Sequence, residues 1–150
     1  MFEFYKLCNE YEKLAPAARG ALLAEKSAAV IFKIKRVDIE GVNPLDTLAA
    51  FILGSIVSDG AVNEKEYLFI YPALIKVFGD FDFATVKLAY KAAKDVKKEI
   101  ERRTDDLMKI ISASDEDLRK DVISLCLLTT SVDGKITLKE RRYIRRLLRK

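Results

Sequence analysis

An all-α, single-domain helical bundle of about seven helices is expected from this sequence on three grounds. Glycine and proline are scarce, six and three in 150 residues, while Ala, Leu, Lys and Glu are abundant, a composition that favours helix over strand. Apolar residues recur at spacings of three and four along most of the chain. No low-complexity linker divides it, and with 50% hydrophobic residues it is long enough to bury a sizeable core.

The helices follow from local signals. Residues 3–14 read as a short first helix. Pro16 suits the first turn of a second, running through an Ala-rich stretch toward Arg36. Val30 to Val37 is β-branched and partly alternating, but a lone strand has nothing to pair with, so helix is expected there too. Gly41-Val42-Asn43-Pro44 breaks the chain. Leu45 to Val57 is apolar on most faces and predicts a buried central helix, ended by Asp59-Gly60. The next helix starts near Asn63, runs to about Phe78 and contains Pro72, which should kink it. After the break at Gly79-Asp80-Phe81-Asp82, one long helix is predicted, with Phe83, Val86, Tyr90, Ala93, Val96 and Ile100 on its inner face. Its other face carries Lys91, Lys94, Lys97, Lys98, Arg102 and Arg103, read as solvated. Ser114 should cap the following helix with Asp117 three residues later, and that helix should run to about Val132. Asp133-Gly134 ends it, and a basic helix follows.

Several chemistries are excluded. The chain has no histidine and no tryptophan, which removes Ser-His-Asp and Cys-His catalysis and every His-ligated metal site. Two cysteines, Cys8 and Cys126, cannot build a Cys-rich zinc site. Cys126 lies in an apolar run and reads as a small buried hydrophobe. The N-terminus has no apolar signal core, no apolar run is of membrane-spanning length, and the thiols are read as reduced, so a cytoplasmic protein is expected. The glycines are isolated, which leaves no phosphate loop, and no aromatic–basic pattern suggests specific nucleic-acid binding. The aromatic residues between Tyr67 and Tyr90 sit at helical spacing and read as core. No nucleophile motif marks an enzyme.

The formal net charge is +4, unevenly spread. Lys135 to Lys150 holds eight basic residues and one acid, a local charge of +7, which leaves −3 for residues 1–134. Arg142, Arg145, Arg146 and Arg149 would offer a patch to an anionic partner. The alternative is a terminal amphipathic helix with Ile144, Leu147 and Leu148 turned inward and the arginines in water.

An internal match stands out at an offset of 74 residues. Leu53 to Ile70 aligns with Leu127 to Ile144, with six identical pairs: Leu53/Leu127, Asp59/Asp133, Gly60/Gly134, Lys65/Lys139, Glu66/Glu140 and Ile70/Ile144. Each unit reads helix, turn, helix. The glycines would end the first helix in the left-handed conformation. Asn63 and Thr137 would be N-caps, with Glu66 and Glu140 completing capping boxes. Val62 and Ile136 precede the caps, where they would staple to Tyr67 and to the stem of Arg141.

This capping account leaves the charge of the two aspartates unexplained. The string Asp-Gly-x-[Val/Ile]-[Asn/Thr]-x-x-Glu is also the second half of an EF-hand loop. The first half fails, because the early ligand positions fall on Ser55 and Val57 in one copy and on Thr129 and Ser131 in the other. If the two units pack as a pair, Asp59, Glu66, Asp133 and Glu140 would converge. Four carboxylates without nitrogen or sulfur donors suit a hard divalent cation, Ca²⁺, Mg²⁺ or Mn²⁺.

These two units, Ser58 to Glu66 and Val132 to Glu140, with a long helix between them, resemble the TerB-like family, the tellurite-resistance TerB domain. They are similar also to the N-terminal region of DjlA-type co-chaperones. The resemblance covers about residues 45–150. It implies an all-helical fold and a non-enzymatic role in stress-associated complexes, often near membranes. It also implies divalent-metal sensing through Asp59, Glu66, Asp133 and Glu140, with a protein or membrane-associated partner. A purely structural adaptor whose basic C-terminal helix binds an anionic partner is the alternative.

Overall fold

Asn43-Pro44 shows how local chemistry sets the first boundary that matters. The Asn43 side chain accepts from the Asp46 amide at 3.1 Å and Pro44 supplies the first turn, so α3 starts there. In the computed structural model, residues 3–55, 57, 64–79, 81–130 and 135–148 are described. They form an all-α bundle of α1 (Phe4–Glu12), α2 (Pro16–Ile34), α3 (Pro44–Gly54), α4 (Glu64–Phe78), α5 (Phe83–Ala92), α6 (Val96–Ser112), α7 (Glu116–Thr130) and α8 (Leu138–Ile144), closed by a 3₁₀ turn at Arg145–Leu148. Among the described residues no helix is long and apolar enough to cross a membrane.

The two most deeply buried helices are central. α3 buries every residue from Thr47 to Gly54, and α7 every residue from Val122 to Thr129. α2 lies along α7, and α6 along α3. All eight helices feed one continuous apolar core. Polar ties set how α1 and α2 sit on α7. Tyr11 donates to Ser124 at 2.8 Å, and Lys26 pairs with Asp121 at 2.9 Å. Burial, which would lower the Lys26 pKa, is outweighed by that carboxylate, and the net direction is up.

The carbonyls at the end of α3 are served by two tyrosines. Tyr143 donates to Phe51 O and Tyr90 to Ala50 O, each at 2.5 Å. Phe51 lies in the last turn, where a carbonyl has no helical donor. Gly54 makes room for this: a Cβ there would sit 2.0 Å from the Tyr143 hydroxyl and 3.2 Å from that of Tyr90. Burial raises the pKa of both phenols, so they remain donors.

Three expectations need correction. The single long helix after Phe83 is two, because Ala93 is extended (ψ 132°) and Asp95 caps α6 by accepting from the Lys98 amide. The cap of α7 is Asp115, not Ser114: its carboxylate accepts from the Leu118 amide at 2.8 Å and also pairs with Lys33. Phe69 and Tyr71 are exposed, not core. The stretch from Val30 is helical up to Ile34, as expected, and Pro72 lies inside α4.

Candidate functional site

The second unit's junction is built as its sequence suggests. Thr137 Oγ1 accepts from the Glu140 amide at 3.2 Å, and Glu140 Oε1 accepts from the Thr137 amide at 2.9 Å, a complete capping box. Ile136, just before the cap, is buried, and Arg141 Nε donates to its carbonyl at 3.0 Å.

What the sequence did not reveal is the role of α1. Glu12 Oε2 accepts from the Ile136 amide at 2.9 Å, and Glu12 Oε1 takes Arg141 Nη2 at 2.7 Å. Arg141 also donates to Asn9 at 3.2 Å. The C-terminal half of α1 therefore holds the turn leading into α8. These partners lie more than 120 residues apart, and no local motif announces such a contact.

The first unit's second helix starts at Glu64, which is clamped by two lysines of α5, Lys87 at 2.7 Å and Lys91 at 3.1 Å. Those hydrogen bonds hold the Glu64 carboxyl below the ordinary range. Lys87 also lies over the Tyr67 ring, 4.2 Å from its centroid. α4 and α8 thus begin at Glu64 and Leu138, separated by the same 74 residues as the sequence match.

The structure brings Glu66 and Glu140 to one cavity of about 360 Å³. Lys65 and Lys139 line it with them, and Ser55, Thr130 and Thr137 add hydroxyl groups. Phe69 and Ile70 form an apolar wall. Asp59 and Asp133 lie outside the described residues, as do Asn63, Val62 and the two motif glycines, Gly60 and Gly134. Among the described residues no group of three or more His, Cys, Asp or Glu side chains stands close enough to hold a metal ion.

The basic segment divides by use. Arg142 and Arg145 are exposed. Arg145 donates to the Tyr5 hydroxyl at 3.0 Å. Arg146 is half-buried, its guanidinium 5.0 Å from the Tyr143 ring centroid. Ile144 and Leu147 are buried in the core, with Leu148 packed against it. Arg149 lies outside the described residues.

Both cysteines are buried and free. Burial pushes the Cys8 thiol up to about 11 and the Cys126 thiol up as well, so neither is a ready nucleophile. No family model, curated protein or solved structure matches this chain.

Proposed function

We propose that this protein is a non-enzymatic, TerB-like helical module that takes a divalent cation at the cavity between its two turn–helix junctions and docks to a protein or membrane-associated partner. The supporting observation is that Glu66 and Glu140, equivalent positions in the two units, line one cavity. The donors there are oxygens only, carboxylate and hydroxyl, which suits Ca²⁺, Mg²⁺ or Mn²⁺ in kind. Lys65 and Lys139 line the same space, so their charge offsets that of the two glutamates. The cation therefore needs the carboxylates of Asp59 and Asp133 as well. One oxygen of Glu140 serves the capping box, so this carboxylate would act both as cap and as ligand.

Calorimetric titration of Ca²⁺, Mg²⁺ and Mn²⁺ into the chelator-treated chain tests this reading. The expected result is saturable binding that Glu66→Gln/Glu140→Gln abolishes and Asp59→Asn/Asp133→Asn weakens. Heat-silent wild type, with a less stable glutamine variant, would make the glutamates caps alone.

Exposure of Arg142 and Arg145 favours a second reading, a structural adaptor whose basic helix binds an anionic partner. Charge reversal of Arg142, Arg145 and Arg146 should then remove partners from a pull-down. Unchanged partners would count against it.

A further inference from the structure

We infer that the furrow between α2 and α4 is a docking groove for an acidic amphipathic helix of another protein. The inference uses none of the proposed cation ligands. Two cavities of about 550 and 670 Å³ follow one another along α2 and share Lys76 of α4. Their α2 lining repeats every four residues, through Pro16, Gly20, Ala24, Ala28 and Phe32 to Arg36 just beyond the helix. These residues run the length of a 19-residue helix, about 28 Å at about 1.5 Å per residue, in a stripe that winds about 40° around the axis at each step.

Three residues of this stripe, Gly20, Ala24 and Ala28, are small. A Cβ on Gly20 would meet no heavy atom within 4 Å. Nothing inside the molecule requires glycine there, and in a helix interior glycine is less favourable than alanine. A glycine on the floor of a groove lets a second backbone approach closely.

Charge identifies the occupant. Lys35, Arg36 and Lys76 line the larger cavity, and no acidic residue does. None of the three makes an ion pair among the described residues. Their complement is a row of Asp or Glu. Aromatic residues stand at the two ends: Phe32, 61% exposed with the Arg36 guanidinium 4.2 Å above its ring, and Phe69, 54% exposed. An apolar stripe flanked by acids, carried on a helix, fills such a trough. A flat bilayer would reach the cationic rim but not the floor between the helices.

The test is a selection of displayed random peptides of about 20 residues on the intact chain, a length set by the groove. Anisotropy of the enriched peptide then measures affinity against four proteins. Enriched peptides should carry apolar residues at i, i+3/i+4 and i+7 with Asp or Glu beside them. Arg36→Glu/Lys76→Glu should weaken binding about tenfold or more, and added salt should weaken the wild type. Gly20→Leu should weaken binding about as much while melting no lower than wild type, since it fills open space on a helix. Glu66→Gln/Glu140→Gln should bind as wild type does, which separates this result from the cation titration. The inference is overturned by an unenriched library or by peptides indifferent to both groove variants. It is equally overturned if phosphatidylglycerol vesicles bind the chain in place of peptide. A dimer in sedimentation that Gly20→Leu dissociates would make a second copy the occupant and overturn it too.

Discussion

α4 and α8 hold the same place in the sequence match, yet beyond their first turns they share little but a buried side. Ile70 and Ile144 are buried alike, as are Ala73 and Leu147. On the outer face Leu68, Tyr71 and Ile75 of α4, all exposed, align with Arg142, Arg145 and Arg149. Among the described residues, exposed apolar side chains of α4 thus stand opposite the exposed Arg142 and Arg145 in the match. The aromatic pair diverges too. Tyr143 is buried, tilted against Phe51 at 4.8 Å between ring centroids, and hydrogen-bonded to the end of α3, whereas its counterpart Phe69 faces the cavities. The lesson is physical. Core contacts and start positions are constrained by packing, and the outer faces are free to differ, so each second helix carries a different exposed surface.

The aromatic pair should give the largest contrast. Tyr143→Ala removes a fully packed ring and a carbonyl's donor, and should cost about 3–5 kcal/mol in urea unfolding. Phe69→Ala should cost less than about 1 kcal/mol, since its ring is more than half exposed. Equal costs would break the comparison.

The ends of the first helices come next. Gly54 of α3 aligns with Leu128 of α7, which is buried at 1% exposure. Gly54→Ala drives a methyl into the Tyr143 hydroxyl and should cost about 1–3 kcal/mol, although alanine is the better helix former. A rise in melting temperature would show that the tyrosine gives way at no cost.

Cap removal should be smaller. Thr137→Ala should cost about 1 kcal/mol and fray α8, seen as faster amide exchange from Leu138 to Arg141 with α4 unchanged. The smallest effect is set by pH. The lysine clamp lowers the Glu64 pKa from 4.5, so its stabilisation is complete above that value. It is lost as pH falls through the lower folded value. Exchange in the first turn of α4 should therefore quicken only at acid pH, and Lys87→Met/Lys91→Met should remove that step.

Much of this arrangement was legible locally. Thr137-x-x-Glu140 states its own cap, which is observed, and Asn43-Pro44, read as a break, is where α3 is capped. The break at Ala93 was not, because apolar spacing continues unbroken from Tyr90 through Ala93 and Val96 to Ile100 and no Gly or Pro interrupts it. Asp95 was the one signal, a cap residue inside a helical pattern. Ser114 and Asp115 are both good caps in sequence, and the Asp115 carboxylate also meets Lys33 of α2, a contact no window contains. For the candidate site, the matching glutamates were visible, and their meeting was expected only on the condition that the two units pack as a pair. The Glu12 latch and the groove floor at Gly20 depend on which helices pack together, so local periodicity was silent about them.

If the two junctions act as one cation site, as proposed, Mn²⁺ is the sharpest probe of it. Paramagnetic broadening of amide resonances on titrating Mn²⁺ reads both junctions at once. The amides around Glu66 and those around Glu140 should broaden together, at the same substoichiometric Mn²⁺, and excess Mg²⁺ or Ca²⁺ should restore them. Broadening confined to one junction, or to neither, would contradict the proposal.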